Sequence, residues 1–134
     1  MKVAFALFGA VVLVAGFFAQ RAFSRRIRPF YERSCAGRLW RERFPGAAKA
    51  EIRDFLDLFV GSFGLDRQKK LTFSPDDSVE TIYRVIYPND WGPDACECET
   101  FVAECQKRYS VDLTSRWSDG LTLGQIFSAV HNDA

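Results

Sequence analysis

The side chains best suited to chemistry in this 134-residue chain are four cysteines, at 35, 96, 98 and 105, and a single histidine at 131. Three of the cysteines fall close together with no second pair at zinc-ligand spacing, and His131 is nearly terminal and far from them in sequence. The pattern predicts no metal site, and unpaired structural thiols in a reducing compartment in place of a disulfide scaffold. Cys96 stands where a helix is expected to begin, a position that favours a thiolate, but Glu97 and Glu99 adjoin it and oppose one. Its expected role is that of a small, partly packed residue.

The remaining candidates are acids. Glu97 and Glu104, seven apart, share one face of an expected helix, and Asp94 and Glu99 flank that face. General acid–base catalysis needs polar groups of shifted pKa converging in a pocket. Acids at caps and exposed helix positions give no sign of that, so the expectation is a non-enzyme. Asp94, Glu97, Glu99 and Glu104 suit instead a docking surface for a protein partner with a basic patch.

The elements that must position these residues begin with an apolar run. Val3 to Ala19 carries no charged side chain and is bracketed by Lys2 and Arg21. At 1.5 Å per residue it spans roughly 25 Å, slightly less than a bilayer's hydrocarbon core, and snorkelling flanks can supply the rest. Residues 1–20 therefore read as a transmembrane anchor. A cleaved signal peptide competes with this, but the run is long for one and Phe17-Phe18-Ala19 is a poor cleavage site.

Net charge is only +1, yet it is strongly segregated. Between Arg21 and Arg43 eight arginines face Glu32 and Glu42, a local charge of +6, whereas residues 75–134 carry a local charge of −7. Residues 21–46 form a basic juxtamembrane neck. Arg21, Arg25, Arg26 and Arg28 outweigh Lys2 and place the rest of a single-pass protein on the cytoplasmic side of the inner membrane, with these four arginines against anionic lipid head groups. Without a reading motif or a folded basic surface, no nucleic acid is expected as a partner.

Residues 47–134 leave room for one small domain. Ile52, Phe55, Leu56, Phe59 and Phe63 at helical spacing predict a helix over about 47–63 that Gly64 stops. Leu71 to Asp77 reads as a loop, and Asp77 with Glu80 as a capping box for a short helix bearing Val79, Ile82, Tyr83 and Ile86 and ended by Pro88. Asp94 and Glu97 repeat the cap spacing before a helix to Tyr109, its core stripe Ala95, Cys98, Val102, Cys105 and Tyr109 with Phe101 beside it, and Glu104 and Arg108 spaced for an ion pair. Thr122 and Gln125 cap a last helix lined by Leu123, Ile126, Phe127 and Val130. The fold class is all-α: a small irregular four-helix bundle behind one transmembrane helix.

Over residues 50–130 the chain resembles the acyl carrier protein family. The resemblance is carried by Leu71-Thr72 through Asp76-Asp77-Ser78-Val79, by Gly92-Pro93-Asp94-Ala95-Cys96 where the family has Gly-x-Asp-Ser-Leu, and by Val111-Asp112-Leu113. It implies a bundle of acyl-carrier type, and the acidic helix face as the surface offered to basic enzymes. It also implies a 4′-phosphopantetheine arm on the serine after the aspartate. Here that position is Ala95, which has no hydroxyl and cannot form the phosphodiester. A second register would put the attachment on Ser78, at the cost of a shortened loop after the first helix. The reading is thus a membrane-tethered, non-enzymatic carrier-like interaction domain without prosthetic group. Its alternatives are a working carrier modified at Ser78, or a small structural subunit of a membrane complex.

Overall fold

The computed structural model describes residues 1–88 and 96–133, the side chains of 96 and 133 excepted. Among these the chain is all-helical, with a single isolated β-bridge between Ser78 and Thr122. The six α-helices are α1 (Lys2–Tyr31), α2 (Gly37–Arg43), α3 (Lys49–Ser62), α4 (Val79–Ile86), α5 (Cys96–Tyr109) and α6 (Leu123–Asp133), with 3₁₀ turns at Arg67–Thr72 and Thr114–Arg116.

The central element is α3. The expected stripe of Ile52, Phe55, Leu56, Phe59 and Phe63 is buried, and so are Leu58 and Val60, so α3 is enclosed on more than one face. It starts without a side-chain acceptor at Ala48, and Glu51 compensates by accepting the Ala48 N–H at 3.1 Å. It ends in a Schellman motif: Leu65 N–H donates to the Val60 carbonyl at 2.8 Å and Gly64 N–H to Gly61 at 3.3 Å. Gly64 sits at φ +66, where a side chain would be strained. Helix α5 packs along α3, and the 67–72 turn closes over it.

The neck belongs to this core. Helix α1 does not stop at the apolar run but continues as one helix to Tyr31, about 45 Å in all. In its second part Ile27 is fully buried and Phe23, Phe30 and Tyr31 pack against the core, docked on α4 and the 67–72 turn. Those residues recur at helical spacing between the arginines. In α2, Trp40 is fully buried and its indole N–H donates to the Phe73 carbonyl at 2.8 Å. Its ring meets Phe44, Phe55 and Phe127 with centroids 5.8–6.2 Å away. The expected four helices are present, but α2 and the end of α1 are built into the same bundle, so its core reaches back across residue 47.

Three local expectations change. The N-cap of α4 is Ser78, whose Oγ accepts the Thr81 N–H at 3.4 Å, and not Asp77. Asp77 turns the other way, accepting Ser74 N–H at 2.7 Å, because Arg33 holds its carboxylate with bonds of 3.0 and 2.6 Å. The 71–77 segment is a loop only from Phe73 onward, since the 3₁₀ turn extends to Thr72. On α5 the burial axis runs through Phe101 and Cys105, both fully buried, while Cys98, Val102 and Tyr109 are half-buried at its edges. Phe101 takes the centre because it meets the rings of Phe55, Phe59 and Phe63 on α3, with centroids 5.6–6.1 Å apart.

Helix α6 matches its expected stripe, with Leu123, Ile126, Phe127 and Val130 buried. The Thr122–Gln125 box is reciprocal: Gln125 accepts the Thr122 N–H at 2.9 Å and Thr122 accepts the Gln125 N–H at 3.2 Å. The start of α6 presses on the loop before α4, where Gly124 N–H donates to the Pro75 carbonyl at 2.8 Å. A Cβ on Gly124 would lie 2.8 Å from that same oxygen, so only glycine fits this contact without a shift.

Candidate functional site

The four acids expected to form one docking surface are not equivalent. Asp94 lies outside the described residues, as does Ala95. Glu97, in the first turn of α5, accepts the Tyr87 hydroxyl at 2.7 Å. Burial first, and then this bond to the carboxylate, push the Tyr87 phenol up to about 12, so Tyr87 stays a donor. Glu97 lies with Gln20, Phe23, Phe63 and Tyr87 around a groove of about 390 Å³ at the end of the bundle nearest the apolar run.

Glu104 faces a different groove, of about 520 Å³, shared with Asp54 and Asp57 of α3 and with Arg67, Thr100 and Arg108. Helices α3 and α5 run antiparallel here: Glu97 neighbours Gly61–Gly64, whereas Arg108 approaches Asp54. Arg108 reaches Asp54 at 3.8 Å across the groove, and Lys70 reaches Asp57 at 2.9 Å. The ion pair expected within α5 between Glu104 and Arg108 is replaced by this inter-helix contact. Glu99 is exposed and lines neither groove. Asp54 and Asp57 join the acidic side of the bundle through the antiparallel packing, which sequence spacing alone does not reveal.

Two thiols of α5, those of Cys98 and Cys105, are protected. Burial, then the charges of Glu97, Glu80 and Glu99, raise Cys98 to about 11, and burial with Glu104 raises Cys105 to about 12. Both remain neutral thiols at physiological pH. Among the described residues no three His, Cys, Asp or Glu side chains gather at a spacing that would hold a metal ion.

Ser78, the alternative attachment residue, is half-buried, and its hydroxyl serves as the α4 cap. The backbone on either side is tied to the entry of α6, Val79 N–H donating to Leu121 at 3.1 Å and Leu123 N–H to Asp77 at 2.9 Å. A modifying enzyme would have to engage this serine against packed backbone on both sides, so the site fits a 4′-phosphopantetheine arm poorly.

The arginines that follow the apolar run also divide. Arg26 donates to the Ile86 carbonyl at the end of α4 (3.3 Å), and Arg28 binds Glu32 one turn later (2.5 Å). Arg21 lies over the Phe17 ring, 5.7 Å from its centroid. Farther along, Arg33 holds Asp77 and Arg43 reaches Asp76 at 2.8 Å, so part of the basic neck is neutralised by the acidic half of the same molecule. The apolar part of α1 remains without protein partners: its most apolar eighteen residues have a mean hydropathy of 2.2 and none is buried. Length and composition suffice to cross a membrane, properties that a leader sequence shares.

Compared with family models, curated proteins and solved structures, the chain matches none.

Proposed function

We propose that the protein is a membrane-tethered, non-enzymatic interaction domain, held at the cytoplasmic face of the inner membrane with its acidic side offered to a basic protein partner. The observation that carries this reading is the continuity of α1. An exposed apolar segment of membrane-spanning length passes without interruption into residues that the bundle buries. A flexible tether would only raise a partner's effective concentration. A helix rooted at Ile27 also sets the height and orientation of the bundle, and holds the Glu97 groove close to the bilayer surface.

The carrier-like character of the domain rests on the resemblance around Asp94-Ala95-Cys96 and Val111-Asp112-Leu113. With alanine at the attachment position and Ser78 engaged as a cap, the domain acts by contact and carries no acyl group. Incubation of the purified chain with coenzyme A and a broad-specificity phosphopantetheinyl transferase tests this. An unchanged mass is expected. A gain of one phosphopantetheine that disappears in Ser78→Ala would replace this reading with that of a working carrier.

A further inference from the structure

One groove is basic. About 340 Å³ of space opens between α2 and α3, bordered by Arg38 and Arg41 on the first helix and Lys49 and Arg53 on the second, with Cys35 at its edge and Ile52 in its wall. Each pair of cations lies one helical turn apart, so each helix turns a basic face toward the other. No carboxylate lines the groove.

Most of its charge is left uncompensated, unlike that of several neighbours. Arg33, Arg43 and Lys70 each have an acidic partner on another element, and Arg38 is held by Glu42 at 2.7 Å. Among the described residues Arg41, Lys49 and Arg53 have no carboxylate within ion-pair distance. Like charges collected around one concavity repel one another, modestly at these exposed positions, and an anion entering the groove relieves that repulsion.

We infer that this groove binds a phosphoryl-bearing anion. Three unpaired cations exceed what a single carboxylate neutralises and match a group of two or more negative charges, and guanidinium forks suit its tetrahedral oxygens. Location favours a soluble source over a lipid head group. Cys35 follows the far end of α1, and the helix between Gln20 and Tyr31 lifts the groove roughly 15–20 Å beyond the end of the apolar run. The inference is independent of the acidic docking side, whose grooves share no lining residue with this one.

The test uses the full chain in phosphatidylcholine nanodiscs at about 50 mM salt, where screening is modest. Tripolyphosphate is titrated calorimetrically, and the alkylation rate of Cys35 is followed by peptide mass spectrometry as a reporter of groove occupancy. Saturable binding that slows Cys35 alkylation is expected. Replacing Arg41, Lys49 and Arg53 by glutamine should weaken binding by roughly tenfold or more, with graded losses in the single variants Lys49→Gln and Arg53→Gln. A control with Lys69→Gln, Arg84→Gln and Lys107→Gln removes the same charge elsewhere and should bind within about twofold of wild type. A second arm uses nanodiscs containing phosphatidic acid and no tripolyphosphate. Protection of Cys35 there assigns the phosphoryl group to lipid, and protection only by tripolyphosphate assigns it to a soluble molecule. Absence of protection in both arms, or equal losses in the groove and control variants, overturns the inference.

Discussion

The two halves of α1 have the same backbone and opposite surroundings. From Val3 to Ala19 every side chain is exposed and nearly all are apolar, whereas from Arg21 to Tyr31 the exposed positions are mostly arginine and the inward ones pack on the bundle. A helix hydrophobic all round needs an apolar solvent, and a helix with one apolar stripe needs a protein neighbour. The junction near Gln20 is therefore a change of surroundings, from bare apolar side chains to packed ones, within one continuous helix, and no chain break accompanies it.

Truncation separates the halves most sharply. Removing residues 2–19 should leave a bundle that unfolds cooperatively, within a few degrees of the full chain in detergent, since that segment makes no core contact. Removing residues 2–31 takes away Ile27 and the packed rings of Phe23, Phe30 and Tyr31 and should abolish cooperative thermal unfolding followed by circular dichroism. Equal behaviour of the two truncations would mean that the second half is not part of the core.

Single substitutions repeat the contrast at smaller scale. Ile27→Ala should lower the unfolding free energy in urea by about 2–4 kcal/mol, whereas Val11→Ala should change it by less than about 0.5 kcal/mol. Among the arginines, Arg33→Ala frees a carboxylate whose side chain is only 13% exposed and should cost about 1–3 kcal/mol. Arg25→Ala should leave stability unchanged and reduce association with anionic vesicles.

Alkaline pH provides the smallest effect, through two thiols of α5. Cys98 and Cys105 have folded pKa values raised from 9.0 to about 11 and about 12, chiefly by burial. Their contribution is fully present below pH 9 and declines as pH rises toward those folded values, because the unfolded thiols ionise first. The urea midpoint should fall between pH 8 and pH 10, and fall less in the Cys98→Ala, Cys105→Ala variant.

Much of the bundle was legible because a regular apolar stripe marks the inward side of its helices. The α3 and α6 stripes, the Gly64 stop and the Thr122–Gln125 box follow from spacing and cap chemistry alone. The neck was not legible in the same way. Phe23, Ile27, Phe30 and Tyr31 lie at helical spacing, but the arginines between them dominate any average over the segment, and a charge count does not distinguish one face from another. Asp77 was misread for a related reason: an acid three residues before Glu80 fits a capping box, but its partner, Arg33, is remote in sequence and drew it away. The acidic side was read from α5 alone, and Asp54 and Asp57 entered it only through antiparallel packing. The basic groove draws on Arg38 and Arg41 before Pro45-Gly46 and on Lys49 and Arg53 after it, across the point where sequence suggested a boundary.

The continuity of α1 from the apolar run into the bundle is the central claim, with the membrane placement proposed above, and a nitroxide scan of residues 3–31 in nanodiscs, on a cysteine-substituted background, tests both most directly. Helical order without a mobile break is expected, with high oxygen accessibility from 3 to 19. Beyond Arg21 that accessibility should give way to a 3.6-residue modulation with minima at 23, 27 and 30–31. Fast isotropic spectra at 19–22, or access of a water-soluble relaxation agent along 3–19, would contradict it.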